Sequence, residues 1–362
     1  MHEAMLYEKL KDSAVRCDLC AHRCKIQPGK MGVCAVRENR DGTLYTLVYG
    51  QSISAAVDPI EKKPLYHFLP GATAFSIATA GCNFRCLFCQ NADISQLSKE
   101  GGQRWSRYAR ELPPERVVSL AASYGCATIA YTYTEPTIFF EYAYDTARLA
   151  SRQGIKNIFV TNGFMTPEML EVIGSDLHAA NVDLKAFTDR FYKRLCGGRL
   201  QPVLDSIARM HEMGVWVEVT TLLIPDENDD AGELRELAAW LAALDPDVPW
   251  HISRFHPDYK MRDHPPTPVD SIHRAVEIGY QAGLRYVYAG NVPGDPHEHT
   301  RCPSCGTVAI ERHAYHIHNK MVEGDKCPQC GQALAIVTAA ATSQSPFPPP
   351  AGRAAGPRPY RP

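Results

Sequence analysis

Two things are scarce in this 362-residue chain, and each scarcity removes a class of function. There is no excess of charge of either sign: 38 Lys and Arg stand against 40 Asp and Glu, a formal net charge of −2. A protein that grips nucleic acid or an anionic membrane surface carries a basic excess, so both partners are disfavoured, local basic patches aside. Long apolar runs are missing too. No stretch approaches the roughly 20 residues of a membrane-spanning helix. The opening residues, MHEAMLYEKLKDSAVRC, are charged and lack the apolar core of a secretory signal. The expectation is a cytoplasmic protein without a membrane partner, in a reducing milieu where clustered cysteines are more readily metal sites than disulfides.

Cysteine is what the chain has in quantity: 13 residues, most of them in groups. Cys17, Cys20, Cys24 and Cys34 form one group, Cys82, Cys86 and Cys89 a second, and Cys302, Cys305, Cys327 and Cys330 a third. Three groups suggest three metal centres. Cys126, which opens a strand, and Cys196, which precedes a Gly-Gly turn, read as ordinary residues.

Between residues 71 and 290 strands and helices alternate. The apolar run Ala74–Ala80 is followed by strands at Ala127–Tyr133, Asn157–Thr161, Asn181–Leu184, Val215–Leu222, Trp250–Ser253 and Arg285–Ala289. Helices fill the gaps, starting at Pro113-Pro114, Thr137, Pro167, Val203, Gly232 and Ser271, several of them closed by Gly. A helix between each pair of short apolar strands demands parallel pairing, because the chain must cross over before each new strand. The predicted fold class is α/β, a partial (β/α)6 barrel with its reactive groups at the C-terminal strand ends. The expected organisation is an N-terminal Cys-rich module at 1–70, the barrel at 71–293, a Cys-knuckle module at 294–337 and a disordered Pro-, Ala- and Gly-rich tail at 338–362.

The middle cysteine group sits in GCNFRCLFCQN, residues 81–91, directly after the first barrel strand. Three thiolates on one short loop suit three corners of an iron–sulfur cube, leaving the fourth iron open to an exchangeable ligand. The loop, with aromatic Phe88 before its last Cys, resembles the cluster loop of the radical S-adenosylmethionine (SAM) superfamily. Residues 57–71 (VDPIEKKPLYHFLPG), TYTEPTIFFEY, VDLKAF and HISRFHPDYKM widen the likeness to the radical SAM enzymes of the AmmeMemoRadiSam system, relatives of glycyl-radical-enzyme activases, over residues 17 to about 335.

That resemblance implies a [4Fe–4S] cluster and SAM as cofactors. It implies reductive cleavage of SAM to a 5′-deoxyadenosyl radical that abstracts hydrogen from an unnamed substrate. Memo-type and AMMECR-type proteins, and a reductant such as flavodoxin or ferredoxin, are the partners it suggests. Glu135 stands where these enzymes carry a Gly-Gly-Glu segment, although Tyr133 and Thr134 replace the glycines here. Asp183 and Lys185, on one side of their strand, resemble the SAM-contacting pair of the pyruvate formate-lyase activase. His251 is a SAM contact by the same analogy, and Asn162 a floor or adenine contact. Arg254 and His256 could meet an acidic substrate, a point the sequence leaves open.

The outer groups read differently. Cys302-Pro-Ser-Cys305-Gly306 and Cys327-Pro-Gln-Cys330-Gly331 are two knuckles suited to tetrahedral zinc, a ribbon-like module, with rubredoxin-like iron as the alternative. His313, His316 and His318 between them read as surface strand residues. Cys17, Cys20, Cys24 and Cys34 fit zinc or a second iron–sulfur cluster, since both accept four thiolates, and zinc is the preferred expectation. Two other functions compete with the leading one: a radical-SAM-type RNA-modifying enzyme, and a non-catalytic metal-binding scaffold.

Overall fold

The computed structural model describes residues 2–320, 322 and 324–338. The expected disorder of the C-terminal tail falls, apart from Thr338, outside the described residues.

The central element is an eight-stranded sheet: β1 (Ser54–Pro59), β2 (Thr73–Ala78), β3 (Thr128–Tyr131), β4 (Lys156–Thr161), β5 (Ala179–Asp183), β6 (Trp216–Leu223), β7 (Trp250–Arg254) and β8 (Val287–Gly290). The strands are hydrogen-bonded in sequence order. β2 to β8 run parallel, and β1 is antiparallel to β2. Six helices make the crossovers: α1 (Pro114–Ser123), α2 (Phe140–Arg152), α3 (Pro167–Ile173), α4 (Gln201–Glu212), α5 (Ala231–Leu244) and α6 (Val269–Gln281). Their starts follow local chemistry. Thr166 caps α3 through its hydroxyl, and Asp230 caps α5 by accepting from the backbone of Gly232 and Glu233.

Side-chain alternation along the strands separates two cores. Phe75, Ile129, Phe159, Val182, Val219 and Ile252 share one continuous cluster with buried residues of all six helices. The intervening residues Ala74, Ala130, Ile158 and Ala179 face the other way and pack with Ile60, Leu65, Phe68 and Leu69. Helices on a single face, with strands in sequence order, make the wall of a barrel rather than a doubly wound sheet. Among the described residues no strand pairing joins β8 to β1, so the wall is not closed. Three alanines on the inner face leave the room that segment 60–69 occupies. Each large apolar side chain buried there contributes about 1.5–3 kcal/mol.

Above that apolar plug lies a polar layer. Glu218 of β6 accepts from the backbone of Tyr66 and His67 and from the rings of Trp216 and His251. Asp58 of β1 accepts from Lys62, Lys63 and Ser76. β1 therefore belongs to the sheet, although its residues fall within the 1–70 stretch expected as the Cys-rich module.

Two smaller units flank the wall. Residues 2–46 form two three-stranded antiparallel sheets whose apolar side chains merge with the helix-side core. Residues 300–320 form another such sheet, over a separate core of Cys302, Ala309, Ile310, Val322, Cys327, Leu334 and Ile336.

Candidate active site

The loop after β2 carries the three central cysteines to the C-terminal end of the sheet. Gly81, at φ +105°, makes the turn out of the strand. A Cβ there would lie 3.0 Å from Val36 and 3.1 Å from Ser98, so the position requires glycine on both conformational and steric grounds. The loop is clamped from the segment before α4: Arg85 and Leu87 donate their backbone N–H groups to the carbonyls of Cys196 and Leu195, at 2.8 and 3.0 Å. Phe84 lies on Gly198 so closely that a Cβ there would sit 2.3 Å from its ring. Residues 255–261 cover the other side, with Lys260 donating to the Leu87 carbonyl and His256 near the Gln90 amide.

Cys86 and Cys196 are both buried, and their thiols meet. That contact and burial push the Cys86 thiol well up, while burial leads the upward shift at Cys82 and Cys89. Thiols so placed ionise only with a cation to hold. The sulfurs of Cys82, Cys86 and Cys89 do not lie mutually within 4.8 Å, whereas those of Cys302, Cys305, Cys327 and Cys330 do. Around one tetrahedral zinc, with Zn–S near 2.3 Å, sulfurs sit about 3.8 Å apart. The tight set fits a single ion; the spacing of Cys82, Cys86 and Cys89 does not.

The sequence-predicted polar residues fall into three groups. Asn162, at the end of β4, stands beside Cys82: its amide nitrogen is 3.7 Å from the Cys82 sulfur and 2.8 Å from the Asn83 side-chain oxygen. Asp183, the last residue of β5, and Lys185 just after it form an ion pair of 3.1 Å beside Cys86. Burial alone would lower the Lys185 pKa, but neighbouring negative charge, Asp183 first, raises it well above its usual value and keeps the ammonium charged. These residues and the cluster loop share one end of the sheet.

Glu135 is also at that end but is turned inward. It accepts from the Thr137 backbone and hydroxyl, the Thr161 hydroxyl and the Asn162 backbone, at 2.6 to 3.0 Å. It thereby fixes the turn that presents Asn162. His251 is not brought to the loop. It is buried at 2.7 Å from Glu218, stacks on Tyr288 and meets Tyr66 edge-on, inside the polar layer.

Two features escaped sequence reading. Tyr133 and Thr132, expected in the strand, lie beyond its end at Tyr131, and Tyr133 adopts φ +65°. A tyrosine thus holds the left-handed conformation that glycine takes without strain. Its hydroxyl bonds to Asp58 and its ring lies 4.3 Å from the Lys63 ammonium, which fixes the strained residue in place. Cys196, read as ordinary, is the residue packed on Cys86, and the following Gly197-Gly198 pair was the available signal for a close approach.

A family model described as the radical SAM superfamily matches residues 76–238, from β2 into α5. The chain is 45% identical over 340 residues to the uncharacterized protein MJ0808 of Methanocaldococcus jannaschii, covering 93% of this chain and 100% of that protein. It is 24% identical to the putative glycyl-radical enzyme activating enzyme MJ1632 of the same organism, over 50% of this chain and 66% of that one. It is 29% identical to the GTP 3′,8-cyclase of Listeria welshimeri over 42% of this chain, and spans 45% of that cyclase's length. No helix among the described residues is long and apolar enough to cross a membrane.

Proposed function

Because this chain belongs to the radical SAM superfamily and is an enzyme, we propose that it abstracts hydrogen from a substrate held at the C-terminal end of the sheet. The supporting observation is the convergence of Cys82, Cys86 and Cys89 with Asn162 and Lys185 at one strand-end site inside the matched region. A [4Fe–4S] cluster with SAM on its open iron supplies, when bound, the one-electron cleavage that generates the 5′-deoxyadenosyl radical. The three thiolates would hold the cluster. Lys185, kept charged by Asp183, would meet a carboxylate, and Asp183, partly exposed, would accept from a ribose hydroxyl. Asn162 would supply amide contacts beside Cys82, while Glu135 positions it and would offer the SAM amino group only the remaining lone pair of its outer oxygen. His251 would act from the inner face, orienting through Glu218. The walls formed by residues 79–91 and 255–261 would exclude water.

The substrate class we favour is a glycyl residue of a partner protein, a reading supported by the likeness to an activating enzyme. Memo-type and AMMECR-type proteins are the proposed associates, through the AmmeMemoRadiSam motifs, and flavodoxin or ferredoxin the proposed reductant. We assign zinc to the C-terminal quartet, whose sulfurs approach to 3.6 Å in two pairs.

The test is anaerobic. The chain is reconstituted with iron and sulfide, given SAM and dithionite, and 5′-deoxyadenosine is followed by mass spectrometry beside Cys82→Ala/Cys86→Ala/Cys89→Ala. Nucleoside from the wild type alone is expected. Its absence from a wild type with a formed cluster and bound SAM would sink the proposal.

A further inference from the structure

Four cysteines lie outside the site just described, in surroundings that discriminate between metals. Cys17, Cys20, Cys24 and Cys34 line a small recess of about 20 Å³ beside Ile138, at the start of the segment leading into α2. Cys17 and Cys34 are buried, and Cys20 and Cys24 half-buried. No three of the four bring their sulfurs within 4.8 Å of one another. Thiolates around one tetrahedral ion sit about 3.8 Å apart.

Arg37 adds a second observation. Its side chain is 2% exposed. It lines the same recess. One terminal nitrogen donates to both Glu141 oxygens at 2.9 and 3.0 Å, and the other to the Met5 carbonyl at 2.7 Å. Its Nε–H has no partner, an omission that buried guanidinium groups seldom tolerate. A hydrogen bond to a cluster sulfur would satisfy it, and the positive charge would offset four thiolates in a buried place. The charge would serve zinc as well; the spacing of the sulfurs decides against zinc.

We infer that Cys17, Cys20, Cys24 and Cys34 hold a second iron–sulfur cluster, a four-iron cubane with every iron ligated by the protein. The module carrying it touches the first cluster loop. The Ala21 N–H donates to the Phe164 carbonyl at 3.3 Å, and the His22 ring, two residues from Cys20, bonds at 2.9 Å to the carbonyl of Asn83, the neighbour of Cys82. A closed cluster has no position for substrate, which leaves it a structural role or the uptake and passage of single electrons. Its place suits the passage of one electron from a low-potential carrier protein to the strand-end cluster, with no bond made and no proton moved. That role rests on the function proposed above; the presence of the second cluster does not.

The full chain carrying Cys82→Ala/Cys86→Ala/Cys89→Ala, reconstituted anaerobically with iron and sulfide, is the test. About four iron and four acid-labile sulfide per chain are expected, with the electron-paramagnetic-resonance signal of a reduced cubane after dithionite. Adding Cys302→Ser/Cys327→Ser should leave the sulfide unchanged, which assigns the cluster without touching its ligands. Adding Cys17→Ser/Cys34→Ser instead should remove it. A triple variant without sulfide, or one whose sulfide disappears with the C-terminal pair, overturns the inference. Because no readout uses SAM cleavage, failure of the proposed activity leaves this result intact.

Discussion

The two outer cysteine quartets have the same ligands in the same number, yet the protein treats them in opposite ways. The C-terminal four are drawn together, with Cys305 and Cys330 exposed and a small core of their own beneath. The N-terminal four are held apart around a small recess, and Cys17, Cys24 and Cys34 share the main core with α2 and β2. Thiolate count therefore does not specify the metal. The distance at which the backbone holds the sulfurs, and the charge placed behind them, does. On the assignments proposed above, the quartet with its own core holds a module together and the one set into the main core communicates with it.

The largest expected effect breaks the C-terminal side of this comparison. Structural zinc contributes about 10–16 kcal/mol in zinc-finger peptides, and a unit with so few core residues has little else to fold on. With zinc in the C-terminal quartet as proposed, stripping it with a strong chelator should raise hydrogen exchange across residues 300–337 while leaving residues 2–46 protected. Unchanged exchange at 300–337 with zinc shown to be gone would end the structural reading of that ion. Next in size are the two buried arginines that dock the modules. Arg37 pairs with Glu141 of α2 at 2.9 Å, whereas Arg312 approaches Glu61 only to 3.9 Å and bonds to the Tyr66 carbonyl and Thr300. Arg37→Met, which strands a buried carboxylate, should cost about 3–5 kcal/mol in urea unfolding. Arg312→Met should cost less, and the reverse order would mean that ion-pair distance does not rank the two docks.

The sequence discloses the parts of this comparison that depend on neighbours in the chain. Cys-x3-Cys-x2-Cys after an apolar run, two Cys-Pro-x-Cys-Gly knuckles, and the strand–helix alternation are local patterns, and the six crossovers lie within a few residues of their predicted places. What depends on distant residues was not legible. Glu218 reads as a charge on a strand until residues 66 and 67, some 150 positions earlier, are seen to donate to it. Cys196 reads as an ordinary thiol until the chain folds it against Cys86. Tyr133 looked like a strand residue because aromatic β propensity says nothing of a left-handed turn, and spacing cannot say how far apart Cys17, Cys20, Cys24 and Cys34 hold their sulfurs.

A pH titration separates the two docks further. His67 anchors the C-terminal module, bonding to the Ala335 carbonyl and to the Tyr288 hydroxyl, each at 2.5 Å. Burial holds its pKa down to about 4, against the pull of Glu218 and the Ala335 carbonyl. The unfolded chain, with histidine near 6.5, then binds more protons than the folded one between pH 6.5 and 4. Stability is full above pH 6.5 and falls by about 3 kcal/mol as the pH drops to 4. His67→Gln should flatten that part of the urea-midpoint profile, and an unaltered slope would remove His67 from the dock.

The smallest effect is the most specific to the N-terminal side. The C-terminal quartet makes no hydrogen bond to the first cluster loop among the described residues, whereas the N-terminal module makes one through His22. Burial lowers the pKa of that ring, so near neutral pH it is uncharged and donates a single N–H to the Asn83 carbonyl. His22→Ala removes one neutral hydrogen bond and the ring's tilted contact with Phe164, 4.8 Å between centroids. The global loss should be about 1 kcal/mol. Its location matters more than its size. Exchange should rise at residues 81–91 and stay constant at 300–337, because one carbonyl of the cluster loop loses its partner while the far module loses nothing. If the loop's exchange did not change, the two modules would touch without being coupled, and the contrast between the quartets would reduce to sulfur spacing alone.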